Sequence, residues 1–129
     1  MTERLPRNVR FVLTKLENLA PGRCAALVEL QGASSTYTGR AEGGCGDAGG
    51  LRAAAQATTG ALQDLGHAVK LEGVELITAL GEPAVVVRVA AERDGETRRL
   101  MGFSVAGDDP MRAAALAVLS ATNRFFEIG

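Results

Sequence analysis

Tryptophan is absent from this chain, and only one tyrosine and four phenylalanines supply aromatic surface. A core of ordinary size must then be assembled from Val, Leu and Ala, whose small side chains let helices sit close to a sheet. There is a single histidine, His67, so neither a Ser-His-Asp nor a His-Glu-x-x-His pattern can be written. The only cysteines, Cys24 and Cys45, fit no metal-ligand spacing and read as free thiols of a reducing cytoplasm, although a disulfide between them is conceivable. Excess charge is lacking too. A net charge of −1 gives no overall attraction to nucleic acid or acidic membranes. No apolar run approaches the roughly 20 residues of a membrane span, and the charged first ten residues contain no signal-like apolar stretch. These absences point to a cytoplasmic, non-catalytic protein with no metal or cofactor.

What is present is an ordinary folded composition, 47% apolar and 22% charged over 129 residues. That length predicts one domain, here residues 9–129, after a loose polar lead-in over residues 1–8. Alternating apolar residues predict a first strand at 9–19, and Pro21-Gly22 a turn. Further strands are expected at 24–30 and from Thr36 to Gly39 or Ala41, joined through Gly32-Ala33-Ser34-Ser35. Residues 43–50, rich in glycine, read as a flexible loop. From Leu51 the period changes to three and four, predicting a helix to Leu65 that ends at Gly66.

The second half repeats this plan. Strands are expected at 69–80, 84–89 and 97–105, with turns at Gly81-Glu82-Pro83 and Asp94-Gly95. Asp109-Pro110 then starts the last helix, the aspartate as cap and the proline at the first helical position. Leu51 and Met111, Thr58 and Val118, and Leu65 and Phe125 are each 60 positions apart, while Gly39 and Gly102 are 63 apart. A constant order with drifting loops predicts a duplicated βββα unit, its halves at about 9–66 and 67–129. The fold class is α+β with pseudo-twofold symmetry, two antiparallel sheets or one shared sheet being covered by two helices.

The strand ending at Gly102, the acidic loop after it, the Ala-rich helix from Arg112 and the closing Ala121-Thr122-Asn123-Arg124-Phe125 carry a resemblance. So does the passage from Gly39 through the glycine-rich loop into Leu51-Arg52-Ala53-Ala54. Together they make the chain resemble the C-terminal regulatory domain of 2-isopropylmalate synthases and the related homocitrate and citramalate synthases. The resemblance implies a homodimer that binds a small feedback ligand, such as an amino acid, between the loops preceding its helices. The residues it implicates are Gly39, Gly43, Gly44, Gly46 and Asp47 in the first half, and Gly102, Ser104, Gly107 and Asp108 in the second. The sequence departs from the family at Gly102-Phe103-Ser104, where a second glycine usually follows after one residue, and it includes no catalytic barrel.

Simpler roles compete at several of these positions. Asp109 is explained by capping, Cys45 by an inert exposed thiol, and His67 by a loop position after the helix end. The broad apolar face of the last helix predicts assembly through Leu116, Leu119, Phe125 and Phe126. A helix at 51–65, three strands and a helix at 111–125 also follow the αβββα order of a double-stranded RNA-binding domain. Asp108-Asp109 stand where such a domain carries lysines, which makes nucleic acid an unfavoured partner. The function expected is thus a sensing or dimerisation module, with a purely structural assembly protein as an alternative.

Overall fold

The computed structural model describes residues 9–32 and 35–126, with only the backbone at Asp47, Ala48 and Arg124; the expected lead-in and the Ala33-Ser34 part of the first hairpin connection lie outside it. The first half is β1 (Arg10–Ala20), β2 (Arg23–Gln31), β3 (Thr36–Gly44) and α1 (Asp47–Leu65). The second is β4 (Ala68–Ala79), β5 (Glu82–Arg93), β6 (Glu96–Val105) and α2 (Pro110–Phe126). The strands form two separate antiparallel sheets, β1-β2-β3 and β4-β5-β6, so of the two arrangements open from sequence the unshared one is found.

Each half is built by the same contact. Gly39 pairs with Val28, and Gly102 with Val87, on the face of each sheet that the helix covers. A Cβ on Gly39 would lie 1.8 Å from the Ala57 carbonyl oxygen, and one on Gly102 1.8 Å from that of Ala117. The helix backbone therefore rests directly on the third strand, an approach only glycine permits. Alanines complete the seam: Ala53, Ala54, Ala57 and Ala61 of α1 are buried, as are Ala113, Ala114, Ala117 and Ala121 of α2. Against them the central strands set Ala26, Val28 and Leu30, or Val85, Val87 and Val89. The scarcity of aromatics is thus matched by an unusually close helix–sheet spacing.

The halves also clasp each other. The Asn123 side chain of α2 accepts the Val9 N–H (2.9 Å) and donates to the Val9 carbonyl (3.1 Å), holding the start of β1. Sixty positions earlier, Gln63 of α1 donates to the Val69 carbonyl of β4 (2.7 Å). Each helix covers the second and third strands of its own sheet and reaches the first strand of the other. The αβββα grouping of an RNA-binding domain is not the main packing unit, since α1 lies chiefly on β2 and β3 and meets the second sheet mainly at β4.

The hairpins follow local chemistry. Asp94 and Gly95 both have positive φ, as a two-residue turn matching strand twist requires. Leu80 and Gly81 adopt the same conformation, so this turn falls one residue earlier than expected, and Pro83 lies inside β5. Gly66 ends α1 in the left-handed region, its N–H donating to the Gln63 carbonyl and that of His67 to the Leu62 carbonyl. No helix among the described residues is long and apolar enough to cross a membrane.

Candidate functional site

The segments before the two helices are where sequence and resemblance place a ligand, and the structure divides their residues into two groups. Gly39 and Gly102 are buried beneath α1 and α2, with no room for a ligand atom where their side chains would be. Gly43 faces α1 as well, a Cβ there standing 3.3 Å from the Gly49 carbonyl oxygen and 3.6 Å from Ala53 Cβ. Gly44 ends β3 opposite Arg23. Ser104 lies in β6 opposite Val85 and is half-buried. Gly46, Gly107 and Asp108 are exposed, and a Cβ on either glycine would meet nothing within 4 Å.

The expected loop over residues 43–50 is mostly regular structure. β3 continues through Gly44, and α1 starts at Asp47 rather than Leu51. Gly46 is the cap residue in extended conformation, and its carbonyl accepts the Gly50 N–H (2.8 Å). The first turn forms despite poor helix propensity because it is pressed on the end of β3; a Cβ on Gly49 would lie 2.4 Å from the Gly44 carbonyl oxygen. Gly50 in turn faces α2, with the Met111 sulfur 3.3 Å from where its Cβ would be. The first turns of the two helices therefore stand side by side.

Asp109 acts as expected, its Oδ1 accepting the Arg112 N–H at 3.0 Å. The Arg112 guanidinium then lies over the Phe11 ring, 5.4 Å from its centroid, joining the start of α2 to β1. Asp108 makes no such cap and is left to solvent beside Gly107, whose φ of 56° turns the chain into the helix.

The expectation of free thiols is corrected: Cys24 and Cys45 form a disulfide, their Cα atoms 5.1 Å apart. The β2–β3 register sets Cys24 opposite Gly43, which brings Cys45, just past the strand end, within bonding distance. The bond fastens the chain between β3 and α1 to the central strand, and Asn18 Oδ1 lies 3.2 Å from the Cys24 sulfur. At the matching place in the second half, the Ala106 N–H donates to the Pro83 carbonyl (2.9 Å). One half clamps its pre-helix segment covalently and the other by a backbone hydrogen bond.

His67 also does more than a loop position requires. Its ring stacks on Phe126 with centroids 4.1 Å apart, closing the end of α2 over the end of α1. Burial lowers its pKa from the ordinary 6.5. The surfaces expected for assembly are largely occupied in the monomer. Leu119 is 4% exposed, and Phe125 and Phe126 are half-buried against the core, with Leu116 half-buried on α2.

Two surface cavities lie away from both pre-helix segments. One, of about 440 Å³, is lined by residues that include Gln63, Lys70, Glu92 and Thr97. The other, of about 190 Å³, is a dent in the outer face of the second sheet bounded by Gly73, Glu75, Val86, Arg88 and Met101. Beside the dent, the buried Oε1 of Glu72 lies 3.2 Å from the Nε atoms of both Arg88 and Arg99, without hydrogen-bond alignment to either. No sequence motif announces that cluster, which depends on a bulge between Leu71 and Gly73. No family model and no curated protein matches the chain.

Proposed function

We propose that this protein is a non-catalytic module that senses a small molecule, an amino acid or a similar compound, and assembles as a homodimer. The observation that carries the sensing role is the Gly50–Met111 contact, because it sets the first turns of α1 and α2 side by side. Backbone N–H groups at two adjacent helix starts favour a carboxylate. Asp108, exposed next to Gly107, suits the ammonium end of the same ligand. The binding residues proposed are thus Gly46, Asp47, Gly107 and Asp108, while Gly39 and Gly102 seat the helices further along their length. The two differently clamped segments give such a site one rigid wall and one softer wall.

The test is a thermal-shift screen of the intact chain with branched-chain amino acids, other amino acids and nucleotides. A ligand at a hundred times its Kd adds about 2.7 kcal/mol to folding stability and raises Tm accordingly. Asp108→Ala is expected to abolish the shift while leaving the unliganded Tm unchanged. A flat response to every compound would remove the sensing role and leave assembly alone.

A further inference from the structure

The two sheets have the same architecture, so their outer faces, turned away from the helices, can be compared position by position. On the first sheet, Glu17 pairs with Ala25 and Ala25 with Glu42, while Leu27 pairs with Arg40. The matching pairs on the second sheet are Ile77 with Ala84, Ala84 with Val105, and Val86 with Phe103. Glu17, Arg40 and Glu42 are thus replaced by Ile77, Phe103 and Val105. The first set forms an ion-pair chain, Arg40 lying 4.0 Å from Glu17 and 3.2 Å from Glu42, which Arg23 also contacts. The second set is apolar and open: Phe103 is 48% exposed, Val105 52%, and the adjoining Met101 68%. At these three positions one unit dresses the face for water, while exposing Leu13 elsewhere on it. The other does not, although nothing in the fold requires the difference.

We propose that the outer face of β4-β5-β6 is a homodimer interface, on which the same face of a second copy packs. Three features select a second copy over an unrelated protein. The face carries both signs among its exposed side chains, Glu75 on β4 against Arg88 on β5 and Arg99 on β6, so each copy can supply both members of the crossing ion pairs that a twofold interface demands. The face also holds a hollow and a projection together: the dent of about 190 Å³, which runs from Gly73 and Glu75 on β4 to Met101 on β6, and the exposed Phe103 ring on β6 beside Val86 at its edge. A twofold axis along β5 carries β6 of one copy over β4 of the other, and so brings each Phe103 over the opposing dent. The area is adequate as well. Three strands spaced about 4.8 Å apart and ten to twelve residues long bury on the order of 1,000 Å² in total when two such faces meet along their whole length, the lower end of specific interfaces. A reversible dimer of micromolar Kd is the expected result.

This inference rests on the assembly half of the proposed function and is independent of any ligand. Sedimentation velocity on the full chain, from roughly 1 to 500 μM, is the experiment, with Ile77→Glu/Phe103→Arg/Val105→Glu as the variant. These substitutions copy onto the second sheet the residues that the first sheet already carries at the same places, so the fold can accommodate them. The wild type is expected to shift from monomer to dimer within that range. The variant, with unchanged circular dichroism and cooperative melting, is expected to stay monomeric, a weakening of about 100-fold or more. Phe103→Arg alone, at one exposed side chain, serves if the triple variant does not fold. A wild type that stays monomeric overturns both the interface and the assembly role. A variant that dimerises as the wild type does overturns the interface and leaves assembly to another surface.

Discussion

Gly102 stands to Ala117 as Gly39 stands to Ala57: in each case a Cβ on the strand would fall 1.8 Å from a helix carbonyl oxygen. Neither glycine has positive φ, so conformational freedom is not the reason for its identity. Contact with backbone leaves no flexible neighbour to move aside. Gly39→Ala and Gly102→Ala are each expected to cost about 3 kcal/mol or more, since the helix must lift from its sheet. Gly60→Ala, inside α1 with nothing within 4 Å of the new methyl, is expected to stabilise by up to about 1 kcal/mol. Urea unfolding of the three variants checks both signs together; equal effects at Gly39 and Gly60 would refute the packing account.

The disulfide closes a sequence separation of 21 residues. Cys24→Ala/Cys45→Ala is expected to lose about 3 kcal/mol, mainly through the freed unfolded chain. Locally, hydrogen exchange should quicken in the first turn of α1, which the bond holds against β3, and stay unchanged at the start of α2. A double variant with wild-type stability would show that the bond does not form in solution.

Burial lowers the pKa of His67, so the unfolded state binds its proton more readily than the folded state. The sign follows from linkage: stability is complete above the unfolded value of about 6.5 and falls as pH drops through the lower folded value. His67→Gln should reduce the loss of stability between pH 8 and pH 5, as measured by urea midpoints at the two pH values. An unchanged difference would assign the acid sensitivity to the carboxylates instead.

Much of this architecture was legible in the chain. The 60-residue offset located both units, Asp94-Gly95 marked a hairpin, and Asp109-Pro110 marked the start of α2 because its signals are local. The start of α1 was not legible in the same way, as Gly49 and Gly50 oppose a helix by propensity and are overruled by their contacts with Gly44 and Met111. The glycines were the main ambiguity. A glycine in a loop, under a helix or in a left-handed turn reads alike in sequence, and Gly39, Gly46 and Gly107 turn out to be one of each kind or nearly so: buried packing, an extended cap and a positive-φ turn. The disulfide depended on strand register, which no spacing of two cysteines can reveal.

Asn123 holds Val9, Gln63 holds Val69, and Phe126 covers His67. Traced through these clasps, the molecule is a ring of two like segments with one covalent joint, between α1 and β4, and one non-covalent joint, between α2 and β1. The beginning of β1 and the end of α2 therefore meet at the place where, in the other half, the peptide simply runs on. Linking α2 to β1 and opening the joint at Gly66-His67 would exchange the two joints without disturbing a single strand pair. Val9 and Val69, buried at the starts of the two first strands, are by the same token each held by a helix that belongs to the other half.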